Sequence, residues 1–263
     1  MLGLGVSAAE GWTVLACLVG LGALVGLGEG LRRWGVSVRT TRRLVHAGVS
    51  LFIVSTPLWF VRPLPVYGLA GLFVVLNATA RTRHWWPGIH AARPSSWGTV
   101  ALPLAVILAL AATWSVSADR VYVLQAAFLI LAVADPLASA FGEAYGRRAL
   151  VAGASQPGSA VFLGSAFVLA GGLLLAVGGA LGGSVLGTAA AVALVATAVE
   201  AVGRHGWDNL CIVLAVVLVL VPLESGSTSL SWLGVGLLVG GGVGGGALRS
   251  QALDGSGAEI GRA

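Results

Sequence analysis

Nine apolar segments, most of them close to 20 residues long, follow one another along this chain and are joined by short polar connections. By number they are 11–31, 44–62, 64–80, 97–115, 121–142, 159–179, 184–203, 208–223 and 229–248. A helix needs about 20 apolar residues to cross a bilayer, and these segments lack the strict alternation of barrel strands. Only 10% of the 263 residues are charged, which is too few for the surface of a soluble domain. The sequence therefore predicts an all-α, polytopic integral membrane protein of about nine transmembrane helices.

The arginines predict the orientation of these helices. The chain contains no lysine, and thirteen of its arginines fall on one side of the predicted membrane, while Arg62 and Arg120 fall on the other. Because positively charged loops stay in the cytoplasm, we expect the N-terminus outside and the C-terminus in the cytoplasm, with the chain in the cell's inner (plasma) membrane. The ninth segment is rich in glycine, and without it only the tail would change sides.

The remaining composition predicts a single membrane domain, residues 1–249, followed by a flexible polar tail, residues 250–263. The sequence pI near 10.2 is explained by this topology, and no nucleic-acid-binding module is recognisable. Cys17 and Cys211 both lie inside predicted spans without metal-ligand spacing, which favours two buried free thiols. Glycine-rich helices pack within one chain or between chains, so the oligomeric state stays open.

A carboxylate interrupts the fifth apolar segment. Asp135, Ser139, Gly142 and Gly146 recur at helical spacing, so they share one helix face. A carboxylate within a membrane costs several kcal/mol, which indicates a functional site, and the glycines would admit a ligand or a neighbouring helix. Pro136 predicts a kink or break here that would free carbonyl groups. The alternative is a packing stripe with a solvated helix end.

Three further polar clusters fall on the predicted cytoplasmic side. The clusters are Arg42 and Arg43 with His46; Asn77 and Arg81 followed by a loop with Arg83, His84, Trp85, Trp86, Arg93 and Trp97; and Glu200 followed by Arg204, Asp208 and Asn209. Each has a structural alternative: a positively charged anchor with a capping histidine for the first, interfacial tryptophans for the second and a helix N-cap at Asp208 for the third.

Acidic residues collect at the same side. Five of the ten lie at the predicted inner ends of spans, namely Glu29, Asp135, Glu143, Glu200 and Asp208. Carboxylates that bind Mg²⁺, beside arginines that neutralise phosphate oxygens, are typical of a magnesium–polyphosphate site. The phosphate-binding loop and the catalytic loop of soluble kinases are both absent from the sequence, which excludes that kind of nucleotide site.

The motifs TRRLVH, ADPLASAFGEAYGRR and a late Glu with Asp-Asn occur in this order between about residues 29 and 222. Together they resemble the polyprenol kinase family, which includes phytol kinase, dolichol kinase and CTP-dependent diacylglycerol kinases. The resemblance implies transfer of the γ-phosphate of a nucleoside triphosphate, often CTP, to a lipid alcohol at the cytoplasmic face. The positions that match the family motifs are Arg43, His46, Asp135, Ala138, Gly142, Gly146, Gly158, Ser159, Glu200, Asp208 and Asn209.

Two departures from the family pattern stand out. The lysine expected before Ser155 is replaced by Ala154, so Arg93, Arg147 or Arg148 would have to bind phosphate instead. The basic pair before the histidine is Arg-Arg where the family has Arg-Lys, which keeps the charge and changes the geometry. Loss of the lysine leaves open whether the chain is active.

On this hypothesis the site residues divide into three expected roles. The catalytic residues are Asp135, Asp208, His46 and Arg43. Phosphate-binding positions are Arg42, Arg93, Ser139, Gly142, Gly146, Arg147, Gly158, Ser159 and Asn209. Carboxylates expected at Mg²⁺ are Asp135, Glu143, Glu200 and Asp208.

Several alternatives stay open at this point. The general base is either a carboxylate or His46. The acceptor is a prenyl alcohol such as phytol, geranylgeraniol or a polyprenol, or else diacylglycerol, and the donor is CTP, ATP or UTP. A cytidylyltransferase resembling CDP-lipid synthases is a second enzyme hypothesis, although that family's C-terminal signature is absent. A small transporter or scaffold is the third, and it predicts polar residues across both leaflets.

Overall fold

The computed structural model describes residues 8–83, 96–146, 154–178, 180–203 and 206–225. This part of the chain is all helical and has no strand. Its helices are α1 (Ala8–Arg33), α2 (Val38–Trp59), α3 (Leu64–Thr82), α4 (Gly98–Ala112), α5 (Val121–Tyr145), α6 (Gln156–Ala176), α7 (Gly183–Val202) and α8 (Asp208–Ser225). A 3₁₀ turn, Ala118–Arg120, precedes α5.

Five of these helices, α1, α3, α5 with its preceding turn, α6 and α7, are long and apolar enough to cross a membrane. Helices α4 and α8 are apolar but shorter, and α2 carries three arginines in its first two turns. The chain is therefore a helical membrane protein. Each described helix overlaps one of the first eight predicted segments, while the predicted ninth segment and the tail lie outside the described residues.

Serine caps begin two of the helices that carry site residues. The Ser37 side chain accepts a hydrogen bond from the Thr40 backbone N–H at the start of α2. At the start of α6, Ser155 accepts one from the Gly158 backbone N–H at 3.2 Å. Each cap satisfies an N–H group that the first turn of a helix leaves without a partner.

Helix α5 continues through Pro136, so of the predicted kink or break at that residue the break is wrong. Proline removes one N–H and leaves one carbonyl without its helical donor, but packing on three sides holds the remaining turns together. Helix α5 contacts α2, α6 and α8, and side chains such as Phe128 and Leu131 on it are fully buried. It is the central helix of the bundle.

Side-chain contacts at the two ends show that the described helices alternate in direction. At one end, Arg62 before α3 pairs with Glu10 at the start of α1. At the other end, Arg39 at the start of α2 pairs with Glu143 near the end of α5. We call this second end, formed by the last turns of α1, α3, α5 and α7 and the first turns of α2, α4, α6 and α8, the polar end.

Candidate functional site

His46 and Asp135 face each other near the polar end. Nε2 of His46 on α2 lies 3.7 Å from Oδ2 of Asp135 on α5, and their side chains are 14% and 24% exposed. Within the described residues, Nε2 of His46 is buried and forms no hydrogen bond. An imidazole and a carboxylate, both largely withdrawn from solvent, therefore meet with unused bonding capacity.

Two more carboxylates act on Asp135. Its charge interacts with those of Asp208 on α8 and Glu200 on α7, and these two also interact with each other. Oε2 of Glu200 and Oδ1 of Asp208 are buried and accept no hydrogen bond in the part of the chain that the structure describes. Oδ1 of Asp208 therefore caps no backbone group of the described residues. Three neighbouring acids on three helices thus favour the binding of a positive charge between them.

Two arginines of α2 supply part of that charge. Arg42 and Arg43 both interact electrostatically with Asp135, and Arg42 also acts on His46. Nη2 of Arg42 donates to Oγ of Ser96 at 3.4 Å, and Nε of Arg43 donates to Oγ of Ser139 at 3.0 Å. The arginines thus lie beside the acids and are tied to the neighbouring segments.

The start of α4 joins this cluster through close backbone packing. Nδ2 of the buried Asn209 donates to the Gly98 carbonyl at 3.4 Å. Gly206, with φ of 88°, packs so closely on Gly98 that a Cβ there would collide with the Gly98 backbone nitrogen. Arg81 donates to the Ser96 carbonyl and lies 4.5 Å from the centre of the Trp97 ring. Trp97 therefore has a specific partner, beyond the interfacial role considered from the sequence.

The glycines of α5 and α6 bring these helices together. If Gly142 were replaced by a residue with a Cβ, that atom would lie 2.7 Å from Oγ of Ser155. A Cβ at Gly158 would lie 3.0 Å from the Ala138 carbonyl oxygen. Of the two occupants considered from the sequence, a neighbouring helix fills the space at Gly142. Gly146 is the C-cap of α5, and Oγ of Ser159 is buried without a hydrogen bond in the described residues.

Glu143 and Glu29 differ from the other acids. Glu143 accepts a hydrogen bond from Arg39 at one carboxylate oxygen and from Arg43 at the other. Glu29 pairs with Arg32 and Arg33 of its own helix. Neither glutamate is among the charges that act on Asp135. The predicted acidic group therefore divides into an inner set of three and two outer ion-paired glutamates.

The inner acids are candidate ligands of Mg²⁺. Among the described residues, no three His, Cys, Asp or Glu side chains are close enough to enclose a metal ion by themselves. Mg²⁺ at nucleotide sites needs no such enclosure, because it binds one or two carboxylates and takes its other ligands from phosphates and water. The unpaired, buried oxygens of Glu200 and Asp208 fit that donor set.

Other features of the structure bear on the predicted site. Arg93, Arg147, Arg148 and Arg204 lie outside the described residues. Ser96 and Gly98, where Arg42, Arg81 and Asn209 converge, were missed from the sequence, since only the tertiary contacts distinguish them from other loop residues. A cavity of about 450 Å³ lies at the opposite end of the bundle, lined by residues 57–61, Trp114, Ala118 and Val121, and it includes none of the predicted site residues.

No family model, curated protein or solved structure matches this chain. The resemblance to lipid-alcohol kinases therefore rests on the sequence motifs alone.

Proposed function

We propose that this chain is an integral membrane lipid-alcohol kinase. It transfers the γ-phosphate of a nucleoside triphosphate, with CTP the first choice, to the hydroxyl of a prenyl alcohol such as phytol, geranylgeraniol or a polyprenol. One observation carries the proposal. Glu200 and Asp208 have buried carboxylate oxygens without a hydrogen bond in the described residues, at the same end of the bundle where Asp135 lies 3.7 Å from His46. Arg43 is hydrogen-bonded to Ser139, one helical turn from Asp135.

This combination of charges matches what phosphoryl transfer requires. Glu200 and Asp208 have buried oxygens available for Mg²⁺, with Asp135 close by, and the ion would neutralise charge on the triphosphate. Arg42 and Arg43 would stabilise the charge of the transferring phosphoryl group, because guanidinium groups bind phosphate oxygens through directed N–H donors. Phosphate binding by these carboxylates, Mg²⁺ and arginines would not require the phosphate-binding loop of soluble kinases.

The proposed reaction forms one bond, breaks one bond and transfers one proton to the protein. The lipid hydroxyl oxygen forms a bond to the γ-phosphorus, the bond from that phosphorus to the β–γ bridging oxygen breaks, and the nucleoside diphosphate leaves. The hydroxyl proton passes to His46 or Asp135, which lie 3.7 Å apart and partly shielded from water. Either residue could act as the general base, and the other would orient it.

The position of the cluster suits a lipid acceptor. A prenyl alcohol places its hydroxyl at the membrane interface and its chain among lipid tails, which is the depth expected for residues near one end of a spanning helix. The arginine distribution of the sequence favours the cytoplasmic face for that end, where nucleotides are present.

Label transfer in a reconstituted bilayer tests the proposal. Purified protein receives Mg²⁺, a pool of prenyl alcohols and diacylglycerol, and CTP labelled at either the γ- or the α-phosphate, with ATP and UTP in parallel. Label that reaches lipid only from the γ position supports a kinase and identifies the acceptor by its migration. Transfer only from the α position would make the chain a cytidylyltransferase, and no transfer from any nucleotide would leave the transporter or scaffold hypothesis.

A further inference from the structure

Both carboxylate oxygens of Glu143, one of the expected metal ligands, accept a hydrogen bond from an arginine. Oε1 accepts from Nη1 of Arg39 at 2.8 Å, and Oε2 accepts from Nη2 of Arg43. The Arg39 side chain is 74% exposed, whereas that of Arg43 is 22% exposed. Solvent screens the first ion pair much more than the second, so the pair with Arg43 is the stronger structural link.

Arg43 is attached to α5 at three points. Besides the ion pair with Glu143, Nε donates to Oγ of Ser139 at 3.0 Å and Nη2 donates to the Ser139 carbonyl at 3.2 Å. Ser139 and Glu143 are four residues apart and share one face of the helix. In the described residues Nη1 of Arg43 has no hydrogen-bond partner, so the guanidinium is held on one edge and free on the other.

The contact between His46 and Asp135 lies about one helical turn deeper in the same interface. Moving three residues along α2 from Arg43 reaches His46, and moving four residues back along α5 from Ser139 reaches Asp135. Because α2 and α5 are antiparallel, the links at Arg43 fix the sliding and rotation of the two helices just where His46 and Asp135 meet.

The distance along α5 argues against a shared metal ion. Asp135 and Glu143 are eight residues apart, which is roughly 12 Å along a helix axis, while ligands of one Mg²⁺ lie within a few ångströms of each other. Glu143 is also absent from the charges that act on Asp135.

We infer that Glu143 is a positioning residue that holds Arg43 and the interface of α2 with α5 in register, and is not a ligand of Mg²⁺. The role assigned to Arg43 at the phosphoryl group rests on the proposed function, whereas the link between the two helices does not. Glu143 acts on the reaction through Arg43, and its loss leaves the inner acids Asp135, Glu200 and Asp208 in place.

The kinetic test compares Glu143→Gln with the wild type in the γ-label assay while Mg²⁺ is varied. We expect kcat to fall about tenfold to a hundredfold from misplacement of Arg43, with the half-saturating Mg²⁺ concentration changed by less than about twofold. A large rise in the Mg²⁺ requirement would overturn the inference. Glu29→Gln is the matched control, because it removes glutamate–arginine pairs at the same end of the bundle without touching α5, and it should leave both values unchanged.

A second measurement is independent of any catalytic activity. Thermal unfolding of the detergent-solubilised wild type, Glu143→Gln, Arg43→Gln and the double variant forms a double-mutant cycle. We expect the double variant to unfold near the temperature of the less stable single variant, since both substitutions break the same link. Fully additive shifts would overturn the positioning role, even if the label-transfer assay had found no kinase activity.

Discussion

His46 on α2 and Asp135 on α5 lie 3.7 Å apart, although 89 positions separate them in the chain. The same two helices are also linked about one turn closer to the polar end, where Arg43 of α2 donates a hydrogen bond to Ser139 of α5. The pair is therefore placed by a rigid helix–helix contact and not by a loop. A pair supported in this way keeps its separation better than a pair held by loops.

Replacement of Asp135 by Asn should remove transfer and leave the fold intact. The amide keeps the size of the side chain but can neither bind Mg²⁺ as a carboxylate nor take up a proton at neutral pH, so we expect a loss of about 10²-fold to 10⁴-fold. Asp119→Asn is the control, because Asp119 is exposed just before the same helix at the opposite end. Label transfer reports activity and gel filtration reports folding. An Asp135→Asn variant as active as the control would remove Asp135 from the site.

Addition of one methyl group at Gly158 should destabilise the contact between α5 and α6. The new Cβ would lie 2.9 Å from Oγ of Ser155 and 3.0 Å from the Ala138 carbonyl oxygen, so the helices must separate slightly. We expect a loss of about 1–3 kcal/mol, measured as a lower thermal midpoint in detergent. Gly164→Ala on the same helix meets nothing within 4 Å and should leave the midpoint unchanged or raise it. Equal midpoints for the two variants would contradict this packing.

Alanine substitutions at two glycines with positive φ distinguish the cost of backbone strain from the cost of a steric clash. Gly35 and Gly206 have φ of 92° and 88°, but only Gly206 packs against the Gly98 backbone. Gly35→Ala should cost about 1–2 kcal/mol from its backbone conformation alone. Gly206→Ala should cost more and should also lower transfer activity, because Asp208 and Asn209 follow within three residues. Chemical denaturation measures the first effect and label transfer the second; similar losses in both variants would argue against the close contact.

The orientation predicted from the arginines can be measured with single cysteines. Trp34 and Val61 are 84% and 90% exposed and lie at opposite ends of the bundle. In a background with Cys17 and Cys211 replaced by Ala, a membrane-impermeant maleimide should label Val61→Cys in intact cells. Trp34→Cys should react only after the membrane is permeabilised, because the positively charged end is expected to face the cytoplasm. The reverse pattern would place the polar end outside, away from cytoplasmic nucleotides.

The sequence alone determined that the chain is a set of membrane helices and that most of its charged residues gather at one end. Apolar length specifies where helices lie, and short connections force neighbouring helices to alternate, so every second loop must meet at the same face. The inclusion of His46, Asp135 and Asp208 at the polar end follows from this rule. It required no knowledge of which helices touch.

The partners within that end were decided only by the tertiary structure. Helical periodicity assigns Glu143 and Ser139 to one face of α5, but the rotation of each helix about its axis decides what that face meets. Packing sets that rotation: Gly142 and Gly158 let α5 approach α6, and Arg43 then reaches both Ser139 and Glu143 from a position 100 residues before Glu143. Because such contacts join distant segments, no local spacing could separate the ion-paired Glu143 from the carboxylates that interact around Asp135.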